Sequence, residues 1–314
     1  MTVGKCGKSK RVLILGATGA LGHVMFTRLS GCEGLEVFGT VRDQEQAGRW
    51  FSQDLLNKCL GNVDAFNFNS LIYALDTVKP EVVVNCIGIV KQSYLAADPV
   101  ISISINSLLP QRLAVACRLA GIRLIQMSTD CVFDGIRGNY REEDPANALD
   151  IYGRTKALGE VTSAGCLTIR TSIICHELRG KLGLLEWFLA QKDQVRGFTR
   201  AIFSGFPMIT FTKIIEKYLL DDPGLTGLYH ISSVPIAKYD LLKLVAKQYN
   251  KKIDITPDGS FTVDRSLDSS SFRKITGYTP PSWPEMVAEM HQHYLSSSYY
   301  KNNQVMEKEN DTDR

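Results

Sequence analysis

Short apolar runs alternate with helical stretches through the first half of the chain, and this alternation strongly restricts the folds open to it. Runs with strand character cover residues 11–15, 35–41, 82–87, 122–128 and 167–170. Between them, segments such as 21–29 and 108–119 carry apolar residues at helical spacing. Alternating strands and helices are typical of βαβ units, which build a parallel sheet with helices on both faces. We therefore predict an α/β fold with a doubly wound parallel sheet.

The second half of the chain is less regular. Residues 184–190 and 236–249 have helical patterns, and residues 227–233 have the pattern of a strand that rejoins the first sheet. We predict a first domain over residues 1–172, a smaller C-terminal lobe over residues 173–295 and a polar tail over residues 296–314. The apolar segment 184–188 fits either a packed core or a contact helix of a homodimer.

Composition excludes several classes of protein. The net charge is only +3, and four basic residues lie within the first eleven positions. Because nucleic-acid binding needs a concentrated basic face, we expect no nucleic-acid partner. No apolar run approaches the roughly 20 residues of a membrane helix, and the run after the basic N-terminus is too short for a signal peptide. We expect a soluble, cytoplasmic protein with no membrane partner.

The eight cysteines are scattered and include no CxxC pair. Disulfide frameworks belong to short secreted chains, and zinc sites need clustered ligands. We therefore expect reduced, mostly buried thiols and no metal site.

A glycine-rich turn follows the first predicted strand and opens a helix. Glycines at this position allow a tight turn and let the backbone approach a pyrophosphate at the positive helix N-terminus. The GxxGxxG spacing alone is weak evidence, so the strand–turn–helix context carries the prediction. We predict a dinucleotide site in a Rossmann-type sheet. Its residues in this turn are Gly16, Thr18, Gly19, Ala20, Leu21 and Gly22.

The end of the second predicted strand bears on the choice of cofactor. Sites for NAD usually place a carboxylate here to bind the ribose 2′-hydroxyl. This strand instead ends at Arg42, and a guanidinium pairs well with a 2′-phosphate. We therefore predict NADPH in preference to NADH, with a solvated surface arginine as the alternative interpretation.

Tyr152 and Lys156 are spaced to share one face of a helix. A nearby ammonium would lower the pKa of the tyrosine from about 10 and make the phenol a usable acid near neutral pH. A second Tyr-x-x-x-Lys, at Tyr239, lies among apolar residues at helical spacing and fits a packed helix. Thr129 favours Tyr152 and Lys156 as the catalytic pair over the second copy. It ends an apolar strand before Tyr152, and ligands bind at the carboxyl ends of parallel strands.

The order of glycine turn, strand-end hydroxyl and Tyr-x-x-x-Lys resembles the extended short-chain dehydrogenase/reductase family over about residues 10–235. The segments STDCVFDG, EDP, YGRTKALGE and RTS are similar to its dTDP-4-dehydrorhamnose reductase branch. Those enzymes are NAD(P)-dependent oxidoreductases that reduce the 4-keto group of a nucleotide-linked 6-deoxy sugar. The resemblance implies that Tyr152 donates the proton, Lys156 holds the nicotinamide ribose and Thr129 orients the carbonyl.

The resemblance implies further site residues. Cys86, Ile87 and Gly88 fit a segment that lines the cofactor, and Asp64 matches an aspartate that contacts adenine. Asn106 fits an asparagine that supports the active-site lysine, with a helix-surface amide as the alternative. The family binds its nucleotide sugar between the sheet and the C-terminal lobe, where the candidates for contacting the diphosphate are Arg196, Arg200 and Arg265.

Two positions depart from the rhamnose enzymes, which usually carry Tyr at Cys131 and Trp at Ile173. We therefore expect a related nucleotide sugar, such as a 2-acetamido-2,6-dideoxy-4-ketohexose, with Asp130, Cys131 and Ile173 as candidate substrate contacts. Cys131 also lies where GDP-fucose synthase carries a cysteine used in epimerisation. A small packed residue is the alternative for Cys131, and His176 is a candidate partner for its thiol.

Three functions follow from these features. The first is an NADPH-dependent 4-keto reductase of deoxysugar or polysaccharide biosynthesis. The second is a nucleotide-sugar epimerase, or epimerase/reductase, that uses Cys131. The third is a non-catalytic, NADP-binding regulatory subunit similar to the beta subunit of methionine adenosyltransferase.

Overall fold

The computed structural model describes residues 9–300. Its strands are β1 Lys10–Leu15, β2 Leu35–Thr40, β3 Cys59–Leu60, β4 Val82–Asn85, β5 Arg123–Met127, β6 Cys166–Arg170, β7 Ile173–Ile174, β8 Gln194–Phe203, β9 Phe206–Pro207, β10 Gly227–His230, β11 Ile236–Ala237 and β12 Asp254–Asp264. Its helices are α1 Gly22–Leu29, α2 Gln44–Ala47, α3 Gln53–Leu56, α4 Phe68–Val78, α5 Pro99–Ser102, α6 Leu109–Leu119, α7 Ile151–Leu158, α8 Leu184–Ala190, α9 Met208–Ile214, α10 Lys238–Gln248, α11 Ser270–Thr276 and α12 Trp283–Ser296.

A central sheet of seven parallel strands organises the molecule, in the order β10-β6-β5-β4-β1-β2-β3. The chain runs from β1 outward to β3 and then crosses back to β4 on the other side of β1. This reversal opens a crevice beyond the carboxyl ends of β1 and β4, where ligands bind in such sheets. The predicted doubly wound, Rossmann-type α/β fold is confirmed.

The central strands form because both of their faces are covered. All four residues of β4 and all five residues of β5 are buried, as expected for central strands of a parallel sheet with both faces covered. On one face, Leu13 and Val83 pack with Leu113 of α6. On the other, Ile14 and Val84 share a core with helix α1 and with residues of the C-terminal half. One sheet therefore supports both the N-terminal helices and the C-terminal lobe.

The C-terminal part contains a three-stranded sheet in the order β11-β8-β12 and a short β7-β9 pair. Between these strands the chain returns to the central sheet, where β10 pairs in parallel with β6. The segment predicted to rejoin the sheet therefore does so.

Residues 99–119 form one helical stretch built from α5, a π-helical segment at Ile103–Leu108, and α6. Its 21 residues have a mean hydropathy of 1.3, so length and composition alone would let it cross a bilayer. Half of its most apolar window is buried inside the protein. The hydropathy of this helix is accounted for by its packing against the sheet, as in the core helix of a globular domain.

Tyr299 and Tyr300 pack into the interior, being only 6% and 4% exposed. The Tyr300 hydroxyl lies 2.8 Å from Nε2 of the buried His23 in α1. The polar tail predicted from residue 296 therefore starts too early, because two aromatic rings in a polar segment still favour burial. Residues 301–314 of that tail lie outside the described part of the chain. So do two of the basic residues near the N-terminus, Lys5 and Lys8, and one of the eight cysteines, Cys6.

Replacing Tyr300 with alanine should lower the free energy of unfolding by about 3 kcal/mol, because a buried ring is lost and a cavity remains. Urea denaturation measures this change. Tyr73→Ala is the matched control, since the side chain of Tyr73 is 67% exposed. Equal stability of the two variants would contradict the packing described for the C-terminal segment.

Candidate active site

The glycine turn after β1 forms a cradle at the crevice of the sheet. Gly16 has a φ of +79°, which favours glycine, and its N–H donates to the Thr40 hydroxyl at 3.0 Å. A Cβ on Gly22 would collide with the Gly16 carbonyl. The N-cap residue of α1, Leu21, makes no side-chain capping hydrogen bond, so no capping side chain competes with an anion for the start of this helix. These features suit a phosphate group at the helix N-terminus.

A cavity of about 410 Å³ extends from this cradle across the carboxyl ends of β1, β2 and β4. Eight of the predicted cofactor residues line it: Gly16, Thr18, Gly19, Arg42, Asp64, Cys86, Ile87 and Gly88. Ala20 and Leu21 instead line a neighbouring cavity, and Gly22 is covered by the turn itself. The structure therefore brings these eight residues of the predicted set together around one cavity.

Thr129 and Tyr152 come together at the end of β5. Thr129 directly precedes a 3-10 turn, and its hydroxyl donates to Oδ1 of Asp130 at 3.2 Å. The same hydroxyl is close enough to the Tyr152 phenol to lower the pKa of that phenol. Tyr152 lies in the first turn of α7, whose N-cap is Asp150. Gly153 lets this helix approach closely, because a Cβ there would strike the Cys131 carbonyl. The two hydroxyl groups are thus placed side by side by a strand end and a helix start.

Lys156 is buried beneath this pair. Its Nζ donates to the Met127 carbonyl at 2.6 Å and lies 3.9 Å from where a Cβ on Gly88 would be. Burial lowers the pKa of Lys156 to about 8, with the nearby Glu160 and Cys86 opposing that change. The ammonium is therefore held at the wall of the predicted cofactor cavity.

The expected lowering of the Tyr152 pKa by Lys156 is wrong for this structure. Burial raises the pKa of the phenol, and the hydrogen bond from Thr129 is the main opposing influence. Helical spacing places the two side chains on one face, but it does not fix the long lysine chain, whose ammonium turns toward Met127. Tyr152 is thus a neutral phenol near pH 7.

Asn106 lies in the π-helical segment and is only 1% exposed, so the helix-surface interpretation is wrong. Its Oδ1 accepts from the Ile89 N–H at 2.9 Å, and its Nδ2 lies 3.4 Å from the Thr155 hydroxyl. Asn106 therefore fixes the chain just after Gly88 and the helix turn that carries Lys156. Short π-helical segments are frequent at functional sites.

A second cavity, of about 500 Å³, opens beside the hydroxyl pair toward the C-terminal lobe. The candidate substrate contacts Asp130, Cys131 and Ile173 all line it. Three cationic side chains also line it: Lys91, Lys238 and Arg265. The carboxyl groups of Asp130 and Glu177 line it as well, and Lys91 pairs with Asp150 at 2.7 Å. An anionic ligand would therefore meet chiefly Lys238 and Arg265.

Of the three arginines considered for a diphosphate, the structure brings only Arg265 to this cavity. Its Nε donates to the Phe133 carbonyl at 2.8 Å, which holds the guanidinium in place. Arg196 pairs with Asp258 at 3.2 Å on an exposed part of β8, and Arg200 lies on the same strand, outside both cavities.

Sequence reasoning missed Lys91 and Lys238, and also Arg179 of the first cavity. Lys238 begins α10, the helix that carries the second Tyr-x-x-x-Lys. In that copy the Lys243 ammonium lies 5.1 Å from the Tyr239 ring, and Leu241 and Leu242 are buried, which confirms a packed helix. No local motif marks the three missed cations.

Cys131 is half-buried at the wall of the second cavity. Burial and the neighbouring Asp130 raise the pKa of its thiol to about 12, so it is protonated at neutral pH. The His176 ring is engaged elsewhere, with Glu186 at 2.6 Å and the Tyr249 hydroxyl at 2.8 Å. The pairing of His176 with Cys131 is therefore not observed.

The described cysteines are free thiols. Within residues 9–300, no group of three or more His, Cys, Asp or Glu side chains is arranged to hold a metal ion.

The parallel sheet, the glycine cradle and the Thr–Tyr–Lys arrangement define a Rossmann-type protein similar to the short-chain dehydrogenases/reductases. The family model described as RmlD substrate binding domain matches residues 10–196, and the chain belongs to this family. The resemblance drawn from the sequence motifs is confirmed.

The relatives of this chain include a reductase and a subunit of another enzyme. The chain is 27% identical over 246 residues to a dTDP-4-dehydrorhamnose reductase of Aggregatibacter actinomycetemcomitans, covering 73% of this chain and 76% of that protein. It is 25% identical over 292 residues to the methionine adenosyltransferase 2 subunit beta of Xenopus laevis, covering 88% and 79%.

A solved structure agrees with the fold. The dTDP-4-dehydrorhamnose reductase of Bacillus anthracis, solved in complex with NADP, superposes with a TM-score of 0.74 at 20% identity. The superposition covers 91% of this chain and 99% of that one. At this identity the likeness establishes the architecture.

The buried Lys156 ammonium should titrate near pH 8 when followed by NMR of ¹³C-methylated lysines, with the resonance assigned by its loss in Lys156→Met. The unfolded chain keeps this proton to about pH 10.5. The buried ammonium therefore destabilises the folded protein at pH values below 8. This destabilisation disappears as the pH rises from 8 toward 10.5. A midpoint at the ordinary lysine value would contradict the desolvation described here.

Proposed function

We propose that the protein is an NADPH-dependent reductase of the 4-keto group of a nucleotide-linked 6-deoxy sugar. The observation that carries this proposal is the grouping of Thr129, Tyr152 and Lys156 at the end of β5. Thr129 directly precedes Asp130 and Cys131, which line the second cavity, and the Lys156 ammonium lies beside Gly88, which lines the first. Such a grouping at the carboxyl end of a parallel strand suits a substrate carbonyl that approaches from one cavity while the cofactor occupies the other.

Reduction of a carbonyl needs a hydride on carbon and a proton on oxygen. Bound NADPH supplies the hydride. Tyr152 donates the proton, because burial keeps its phenol protonated near pH 7 and the developing alkoxide is a much stronger base. Thr129 donates a hydrogen bond to the same oxygen and orients it. Lys156 holds the cofactor ribose from below, next to Gly88.

The first cavity fits an NADP-type dinucleotide. Its glycine cradle admits a pyrophosphate, and Arg42 at the end of β2 suits a 2′-phosphate. The structure solved with NADP shares this architecture. NADH is the less favoured cofactor, because no carboxylate occupies the last positions of β2.

The second cavity fits a nucleotide sugar. Lys238 and Arg265 supply positive charge for a diphosphate, and the reductase relative acts on a dTDP-linked sugar by its name. Cys131 and Ile173 are smaller than the aromatic residues of the rhamnose enzymes. A bulkier ring substituent, such as the 2-acetamido group of a 2-acetamido-2,6-dideoxy-4-ketohexose, is therefore the expected substrate feature. We place this activity in the cytoplasm, in deoxysugar or polysaccharide biosynthesis.

A regulatory subunit is the second candidate, because the methionine adenosyltransferase relative covers 88% of this chain. An epimerase that uses Cys131 is less favoured, since the raised pKa of the thiol, about 12, opposes its use as a base. The presence of both hydroxyl groups and Lys156 at one site supports catalysis over a purely regulatory role.

Tyr152→Phe should reduce NADPH oxidation at least about 100-fold, because the proton donor is removed. The assay offers NADPH with a panel of nucleotide-linked 4-keto-6-deoxy sugars and follows nicotinamide absorbance. Binding of NADP⁺ should stay within a few-fold of the unmodified protein. Tyr239→Phe is the matched control and should retain activity.

Three outcomes separate the candidates. Silence of the unmodified protein across the panel would place the regulatory role first. Loss of activity in Tyr239→Phe in place of Tyr152→Phe would overturn the choice of catalytic tyrosine. Uptake of solvent deuterium at sugar carbons 3 or 5 would favour an epimerase.

Arg42→Asp should lower the preference for NADPH over NADH more than tenfold, because a carboxylate repels the 2′-phosphate and accepts from a 2′-hydroxyl. The measurement is the ratio of kcat/KM for the two cofactors. An unchanged ratio would show that Arg42 is only a solvated surface charge.

A further inference from the structure

We infer that Arg179, from the C-terminal lobe, forms with Arg42 a two-arginine clamp for the 2′-phosphate of the cofactor. This inference rests on the proposed use of NADPH. Arg179 lines the same cavity as Arg42, the glycine cradle and Asp64, although it lies in the segment between β7 and α8. The lobe thus contributes a cation to a cavity that the sequence pattern assigns wholly to the first domain.

Arg179 is held at the adenosine end of this cavity by two contacts. Its Nη1 donates to Oε1 of Gln46 in α2 at 2.7 Å. Its guanidinium carbon lies 5.6 Å from the centre of the Trp50 ring, a cation–π distance, and Trp50 is buried. Both partners follow β2, the strand that ends beside Arg42. The guanidinium is therefore held against the segment that follows Arg42, and both arginines line the same cavity.

The loop that carries Arg179 is fixed by its own hydrogen bonds. The Glu177 carboxylate accepts from the N–H groups of Leu182, at 3.1 Å, and Gly183, at 2.8 Å, which closes the loop on itself. Just before it, the buried His176 ring is held between Glu186 and Tyr249. The backbone turns at Gly180, where φ is +86°. Arg179 is thus presented from an ordered loop, and little loop ordering is needed when an anion binds.

The charge around Arg179 favours a phosphate over a hydroxyl. Arg42 and Arg179 bring two positive charges to one cavity, and Asp64 is the carboxylate that lines it. An Asp64 oxygen already accepts from the Phe66 N–H at 3.0 Å. A dianionic 2′-phosphate can accept from both guanidinium groups, whereas the 2′-hydroxyl of NAD can offer only one weak acceptor. The two arginines should therefore discriminate between the cofactors together.

Calorimetry of ligand binding by the full chain tests this clamp without any reaction. The ligands are 2′,5′-ADP, which carries the 2′-phosphate, and 5′-AMP, which lacks it, followed by NADP⁺ and NAD⁺. Arg179→Gln should raise the Kd for 2′,5′-ADP and NADP⁺ about tenfold, as for loss of one charged hydrogen bond. The Kd values for 5′-AMP and NAD⁺ should stay within about twofold.

Arg196→Gln is the matched control, because Arg196 also belongs to the C-terminal lobe but pairs with Asp258 outside both cavities. It should leave all four Kd values unchanged. Unfolding curves confirm that each variant is folded. The Arg42→Gln/Arg179→Gln double variant should bind NADP⁺ no more tightly than NAD⁺, because both charges that meet the 2′-phosphate are gone.

Three results would overturn the clamp. The first is an unmodified protein that binds 2′,5′-ADP no more tightly than 5′-AMP. The second is an Arg179→Gln variant that weakens both ligands equally, which would mean a general packing role. The third is an Arg179→Gln variant whose Kd values all equal those of the unmodified protein. Failure of the reductase proposal is distinguishable, because a protein silent on the sugar panel would still show the selective loss of 2′,5′-ADP binding.

Discussion

The close approach of α7 to the turn after β5 is the contact on which the site depends. Gly153 stands at this contact, with no room for a Cβ beside the Cys131 carbonyl and Ala148. Its neighbour Tyr152 therefore reaches the Thr129 hydroxyl, and one helical turn later Lys156 reaches the Met127 carbonyl. A larger residue at position 153 would push the helix away and separate the hydroxyl groups. This contact places the hydroxyl pair next to Cys131, which lines the second cavity, and the Lys156 ammonium next to Gly88, which lines the first.

The sequence predicted those features of the fold that depend on residues close together in the chain. The strands β1, β4 and β5 were recognisable because burial on both faces demands continuous apolar runs. The glycine turn was recognisable because Gly16 must adopt a positive φ directly after a strand. These constraints act between residues that are neighbours in the chain, so a single sequence displays them.

The remaining features depend on contacts between distant segments. Arg179 reaches Gln46, and Lys238 shares a cavity wall with Asp130, through pairings that no periodicity encodes. The burial of Tyr300 against His23 joins the last described residues to the first helix. The direction of the Lys156 ammonium is set by the Met127 carbonyl on another element. Side-chain placement of this kind follows from the assembled fold, and sequence spacing only limits it.

The chain is similar in sequence both to a reductase and to a methionine adenosyltransferase subunit, and the fold alone cannot choose between these functions. The electrostatics of the site bear on that choice. Burial disfavours charge on both Tyr152 and Lys156, raising the pKa of the first and lowering that of the second to about 8. Near pH 7 the phenol is therefore neutral, while the lysine, below its pKa, is still mostly protonated. A neutral phenol carries the proton that a forming alkoxide takes up, so near pH 7 Tyr152 is in the protonation state from which reduction starts. The arrangement thus suits reduction of a carbonyl at neutral pH, which a protein that only bound the cofactor would not require.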